Sequence, residues 1–276
     1  MIDVINSSLL KLKKKKIPNA ELDLKILLRE ASFKKKDIIL SNLNINEIDI
    51  NYFNSLISKR LSRAPISKII KKKSFWKNEF YVNSDVLDPR PETEIIIEEV
   101  LDNIKDKNKK IKILDVGTGS GCLAISLAKE LKYSEITAID ISKKALKVAQ
   151  RNVKIHNTTN QIKLKLAQLE NIKTKFDFVI SNPPYINESE YEKLDKEIKE
   201  YEPKLALLGG IDGLKFYKQF ADRIELIMKE NSFFICEIGH NQLSACKKIF
   251  RNTNLILKKI TKDLRKIDRT LTFFKI

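Results

Sequence analysis

The chain has 276 residues, 42% of them hydrophobic, enough for one large domain or a core domain with a smaller companion. Its 53 lysines and arginines exceed its 36 acids by 17, which reads as solvated lysine faces or as attraction to a polyanion such as RNA. Three cysteines without C-x-x-C spacing and two separated histidines, His156 and His240, exclude a disulfide framework and a metal cluster, and no apolar run approaches the ~18 residues of a membrane span. The first lysines follow the first apolar residues, the reverse of a secretion signal, so reduced thiols and a cytoplasmic location are expected.

Residues 1–75 carry helical patterning. In AELDLKILLREA, Leu24, Leu27, Leu28 and Ala31 recur at the spacing of one buried helix face. Tyr52, Phe53, Leu56, Ile57 and Leu61 do the same in NYFNSLISKRLSRAP, with Pro65 at the expected end. The lysines come in runs, KKKK at 13–16 and KKK at 34–36 and 71–73, and only nine of the 53 basic residues are arginine. A small helical bundle with no catalytic cluster is expected, suited to docking a substrate. Residues 76–95 then turn aromatic and β-branched around polar breaks, which predicts a β-hairpin connector, with the next helix starting near Glu92.

Residues 96–276 form the expected main domain. From 111 onward, strand-like and helix-like segments alternate. IKILDVG, EITAIDI, QIKLKLAQL, FDFVISN and SFFICEIG read as strands; SGCLAISLAKEL, SKKALKVAQRNVKIH and GLKFYKQFADRIELIMKE read as helices. A helix near 241–252 and two strand candidates, LILKKI and TLTFFKI, close the chain. Such alternation predicts an α/β, Rossmann-like fold: a mostly parallel sheet with an antiparallel C-terminal strand and helices on both faces. Ligands of these sheets bind at the carboxyl ends of the strands, where strand order reverses.

LDVGTGSGCLA sets Gly117, Thr118, Gly119, Ser120 and Gly121 between the first of these strands and its helix. Glycine allows tight positive-φ geometry and close ligand approach. A dinucleotide fingerprint would require glycine or alanine at position 122, where Cys122 stands. The spacing D-x-G-x-G-x-G is instead similar to that of Rossmann-like S-adenosylmethionine-dependent methyltransferases. Asp140 ends the next strand, EITAID, at the same sheet edge, where a carboxylate can accept both hydroxyls of a ribose. The competing role for Asp140 is a helix N-cap, since Ser142 and a helix follow.

After FDFVIS comes Asn182-Pro183-Pro184-Tyr185. Two prolines donate no N–H and stiffen the backbone, so the segment presents acceptors without matching donors. Its placement is similar to the [Asn/Asp/Ser]-Pro-Pro-aromatic motif of enzymes that methylate planar, conjugated nitrogen. The Asn182 side-chain oxygen and the Pro183 carbonyl can take the two N–H bonds of an NH₂ group, and Tyr185 can pack on its flat face. Asn182, Pro183 and Tyr185 are therefore the catalytic candidates, and positioning rather than a strong base supplies the rate.

Taken together, RAPISKIIKKKSFW, DPRPETE, ILDVGTGSGCLA, AID, FDFVISNPPYI and YEPKLALLGGIDGL resemble, in that order, the peptide chain release factor N5-glutamine methyltransferase family over residues 20–276. The resemblance implies methyl transfer from S-adenosylmethionine to the glutamine of the Gly-Gly-Gln motif in class 1 release factors. It implies that residues 117–121, Asp140, Leu169 and Asn182 hold the methyl donor, and that Asn182 through Tyr185 hold the substrate glutamine. Two departures stand out: Gln168-Leu169 replaces an acid and an aromatic residue, and a lysine, Lys71 or a neighbour, replaces a glycine before Phe75-Trp76. In RPETE, Arg90 and Glu94 either pair with each other and cap the following helix, or help to wall the glutamine pocket. CEIGHNQ is either a plain strand end or a contributor of Glu237 to the ligand edge. The rivals are a glutamine methyltransferase for a ribosomal protein, an adenine-N6 methyltransferase of DNA or RNA, and an RNA-binding module with a vestigial loop. A monomer is expected, for which nucleic-acid contact is allowed but not required.

Overall fold

A computed structural model describes residues 2–34 and 45–276, and divides the chain into two compact units, Met1–Lys72 and Lys73–Ile276. Lys35 and Lys36 of the second lysine run lie outside the described residues. The first unit holds α1 (Ile2–Lys14), α2 (Ala20–Ala31), α3 (Ile50–Leu61) and α4 (Ile66–Ile70). Leu12, Leu24, Leu27, Leu28, Phe53 and Leu56 are fully buried and form its core. Within that core Arg60 Nε donates to Asp23 Oδ2 at 2.7 Å, a pair buried on both sides. The α3 face is narrower than its pattern predicts, for Tyr52 is exposed. The helix stops at Leu61 because Arg63 turns left-handed (φ 69°), and Pro65 heads α4 instead of closing α3.

The hairpin begins earlier than expected, with β1 (Lys72–Phe75) and β2 (Asn78–Tyr81). Two of its residues adopt conformations that favour glycine: Lys71 (φ 56°) just before β1, and Trp76 (φ 54°) in the turn. A bulky residue there is strained by about 1–2 kcal/mol. Trp76 is held nonetheless, its backbone N–H donating to Glu94 Oε1 at 2.6 Å and its indole N–H to Glu130 Oε1 at 2.7 Å. The lysine at 71 thus takes up left-handed geometry without a glycine.

After a 3-10 turn at Pro91–Thr93 come α5 (Glu94–Asp102), β3 (Ile111–Val116), α6 (Cys122–Glu130), β4 (Ser134–Asp140), α7 (Lys143–Ile155), β5 (Ile162–Leu166) and β6 (Phe176–Ser181). They are followed by α8 (Glu188–Glu192), α9 (Lys196–Tyr201), α10 (Lys215–Arg223), β7 (Met228–Glu237), α11 (Leu243–Phe250), β8 (Ile256–Lys262) and β9 (Asp268–Lys275). The seven strands β3–β9 lie in the order β5-β4-β3-β6-β7-β9-β8. The first five are parallel, and β9 runs antiparallel to both β7 and β8. β3 and β6 are buried along almost their whole length, which is why they read as apolar runs rather than as alternation. Helices cover both faces, giving two apolar layers, one around Ile113, Leu127 and Ile180 and one around Val179, Tyr217 and Phe234.

The helix predicted through Glu230 ends at Arg223. A 3-10 turn spans Ile224–Ile227, and Met228 already pairs with Phe176 in the sheet. Ile224, Ile227 and Met228 are buried, so pairing with β6 captures an apolar stretch whose local pattern suits a helix equally well. Among the described residues no helix is long and apolar enough to cross a membrane, and no group of His, Cys, Asp or Glu is placed to hold a metal.

Candidate active site

Register brings the candidate residues into one row. Val116 is opposite Ile139 on one side and Ser181 on the other, and Ser181 is opposite Cys236. The next residue on each strand is therefore Gly117, Asp140, Asn182 and Glu237, all at the carboxyl edge. Strand order reverses between β3 and β6, where Gly117 and Asn182 stand side by side.

The glycine loop is shaped from several directions. Gly117, Gly119 and Gly121 have φ of 74°, 55° and 82°. A Cβ on Gly117 would meet no atom within 4 Å and one on Gly119 only a backbone oxygen at 3.9 Å, so open space lies before the loop. Gly117 and Thr118 donate their backbone N–H to Ile139 O, each at 2.9 Å. Beneath the loop, Thr118 Oγ1 donates to Asp115 Oδ2 at 2.7 Å, and Asp115 Oδ1 is buried with no partner among the described residues. Burial pushes the Asp115 carboxyl up to about 7, against the bond from Thr118. Ser120 O is held by Asn152 Nδ2 at 2.8 Å. That fully buried amide, on α7, also exchanges two bonds with the Tyr81 backbone, and so ties the loop to β2.

Asp140 serves the loop as well as the helix start. Oδ2 accepts from Gly119 N at 3.0 Å and Oδ1 from Ser142 N at 2.8 Å, while the cap of α7 is Ser142 itself, whose side chain accepts from Ala145 N. Burial raises the Asp140 carboxyl pKa, and the backbone bonds from Ser142 and Gly119 oppose that shift. Leu169 is buried in the apolar layer with Leu114, Ile139 and Val179, at the start of a 3-10 turn. Gln168 is spent on a capping box with Asn171, so neither side chain stands free as a platform.

On the other side of the switch point, Asn182 Nδ2 donates to Thr93 Oγ1 at 2.9 Å. Thr93 Oγ1 donates in turn to Glu237 Oε2 at 2.6 Å, and the Tyr185 hydroxyl donates to Glu237 Oε1 at 3.1 Å. With Nδ2 committed, Asn182 keeps Oδ1 as an available acceptor. No hydrogen bond reaches the Pro183 carbonyl among the described residues either. Burial pushes the Glu237 carboxyl up to about 7, and burial with the neighbouring Glu237 charge raises the Tyr185 phenol pKa. Gln242 braces the motif's backbone, its Nε2 donating to Tyr185 O at 2.9 Å and its Oε1 accepting from Gly239 N at 2.9 Å. Gly213 approaches so closely that a Cβ there would strike Tyr185 O.

Arg90 and Glu94 do not pair with each other. Arg90 Nη2 reaches the buried Glu202 at 2.7 Å, and Glu94 accepts from Trp76. DPRPETE is therefore fastened to YEPKLALL, and its Thr93 reaches the Asn-Pro-Pro-Tyr motif. Neither Thr93 nor Asn152 stands out as a site residue in the sequence, and the one signal for Asn152 is a polar residue inside an apolar helix face.

A methyltransferase small domain model matches residues 91–201. A release factor glutamine methyltransferase of Fusobacterium nucleatum is 35% identical over 276 residues, covering 98% of this chain and 77% of the relative. The chain belongs to the release factor glutamine methyltransferase family. A bifunctional methyltransferase of Rickettsia bellii is 35% identical over 97% of this chain but only 53% of its own length, so the chain spans about half of that relative. A solved methyltransferase from Pyrococcus furiosus shares the fold at 16% identity, with a TM-score of 0.51, covering 80% of this chain and 97% of that one. For a release factor glutamine methyltransferase family member, the donor set fits S-adenosylmethionine. An open glycine cradle and a half-buried carboxylate at Asp140 lie together on one edge.

Proposed function

We propose that this protein transfers a methyl group from S-adenosylmethionine to the side-chain amide nitrogen of the glutamine in the Gly-Gly-Gln motif of class 1 release factors. Residues 117–121, Asp140 and Asn182 hold the donor, with Leu169 backing the site from the apolar layer, and Asn182, Pro183, Pro184 and Tyr185 hold the glutamine. The bound donor supplies an electrophilic methyl on a sulfonium. A glutamine amide nitrogen is a poor nucleophile because its lone pair is delocalised into the carbonyl. Asn182 Oδ1 and the Pro183 carbonyl accept its two N–H bonds and orient the lone pair toward the methyl, and one of those protons, made acidic once nitrogen carries the methyl, is then released to solvent without a strong base. Both acceptors are fixed before the substrate arrives, so no reorganisation opposes the charge that develops on nitrogen. Tyr185 packs on the flat amide, with its hydroxyl anchored on Glu237.

The observation that carries this reading is the bond from Asn182 Nδ2 to Thr93 Oγ1, which fixes which end of the amide is which and leaves Oδ1 as an acceptor without a partner among the described residues. The helical unit docks the release factor. It contains 16 of the chain's basic residues and 7 of its acids, so roughly half of the excess charge sits on a quarter of the length. The protein acts as a monomer. The test supplies purified protein with labelled methyl donor and, in parallel, a release factor, duplex and single-stranded DNA, total RNA, and isolated ribosomes. Label confined to the release factor is the expected result. Label chiefly in nucleic acid would replace this reading with adenine methylation, and label in a ribosomal protein would keep the chemistry while changing the target.

A further inference from the structure

Thr93 Oγ1 lies between an amide and a carboxylate, 2.9 Å from Asn182 Nδ2 and 2.6 Å from Glu237 Oε2. A hydroxyl has a single proton, and above about pH 7, where the Glu237 carboxyl is ionised, the carboxylate only accepts, so that proton belongs to the bond with Glu237. What Thr93 then offers Asn182 is a lone pair. An amide turned the other way would set Oδ1 against that lone pair, acceptor facing acceptor, and would point its NH₂ at the substrate. Such an NH₂ repels the N–H bonds of the incoming glutamine amide. The second carboxylate oxygen takes the Tyr185 hydroxyl, so one buried group reaches both ends of the Asn182–Tyr185 segment.

The local architecture makes this contact durable. Thr93 sits in the 3-10 turn that opens α5, held by the bond from its N–H to Arg90 O, and Arg90 is itself tied to Glu202. Glu237 ends β7 between its ladders to β6 and β9. The backbones that carry both residues are fixed by turn and sheet hydrogen bonds, and both side chains are shut off from water. Burying a carboxylate merely to satisfy a threonine would be an expensive way to fill a core site. Orienting an amide is a use for which an ionised carboxylate, a pure acceptor, is suited.

We propose that Glu237, acting through the Thr93 hydroxyl, is a positioning residue that locks the Asn182 amide with Oδ1 toward the substrate. This rests on the reading that Asn182 Oδ1 receives the glutamine amide, and the experiment separates the two. Steady-state kinetics with a release factor are compared for Thr93→Val, Thr93→Ser and Asn182→Ala, with donor affinity measured for each by calorimetry. Thr93→Val lowers kcat about tenfold, the scale of one lost hydrogen bond, with KM and donor affinity within about threefold of wild type. Thr93→Ser, which keeps the hydroxyl, rescues kcat. A fully active Asn182→Ala would remove the reading beneath the proposal. An inactive Asn182→Ala beside a fully active Thr93→Val would overturn the proposal alone, as would equal losses in the serine and valine variants, which would point to methyl packing. If Thr93→Val does not fold, the wild-type protein labelled with ¹⁵N-asparagine decides the matter. Cross-relaxation from the Asn182 amide protons to the Thr93 side chain is expected, and its absence would overturn the lock.

Discussion

At Asp140 one carboxylate receives two backbone N–H groups, from Gly119 in the loop and Ser142 at the start of α7. Each oxygen retains a further lone pair, which is what two vicinal hydroxyls require. Removing the side chain therefore loosens the loop and deletes the proposed ribose acceptor together, while the Ser142 cap on Ala145 remains. Asp140→Ala is expected to weaken S-adenosylmethionine binding by about 1.5–3 kcal/mol, on the order of 10- to 150-fold in Kd, as read by calorimetry. An unchanged Kd with a lowered melting temperature would reduce Asp140 to a loop-to-helix tie. The Thr93–Glu237 pair differs, because it bonds Asn182 rather than the glycine loop.

The glycine loop is an element that depends on its neighbours. Its only side-chain tether from α7 is Asn152 among the described residues, with bonds of 2.8 Å to Ser120 O and of 2.8 and 2.9 Å to the Tyr81 backbone. Asn152→Ala leaves these buried backbone groups without partners. It should cost about 2–4 kcal/mol in urea unfolding and weaken donor binding as the loop loosens. A loss under about 0.5 kcal/mol would show that the tether is dispensable. This connection also marks the limit of legibility. The strands of the sheet and the loop between β3 and α6 stand out as apolar runs and glycine spacing, because each is specified within ten residues or so. Asn182 to Tyr185 is legible for the same reason. The partners of those residues are not: Thr93 and Glu237 are 144 positions apart, and Arg90 and Glu202 are 112 apart. Nothing local in RPETE signals that its arginine and Glu94 go to different partners. Ile224–Met228 is equally ambiguous, for an apolar stretch fits a helix or a strand until β6 pairs with it.

For the whole molecule, two carboxyls buried at the site edge make stability depend on pH. Burial holds Asp115 and Glu237 near 7, against ordinary values of 3.8 and 4.5. The folded state keeps protons that the unfolded chain has already released, so the stability these two groups contribute is greatest below their ordinary values and is lost as pH rises toward 7. Across that window Asp115 accounts for on the order of 4 kcal/mol and Glu237 for on the order of 3 kcal/mol. Asp115→Asn carries no such proton, so its stability relative to wild type should climb between about pH 4 and pH 7 in urea titrations and then level off. Parallel curves for the two proteins would contradict this. The central claim, an acceptor pair built for a glutamine amide, is tested most directly by moving that amide. Changing Gly-Gly-Gln to Gly-Gly-Asn in the release factor withdraws the NH₂ by about one bond length, and a misplacement of about 1 Å can cost on the order of 10² in rate. Single-turnover methyl transfer to the two proteins should therefore differ by about a hundredfold or more in favour of Gly-Gly-Gln, and equal rates would contradict the account.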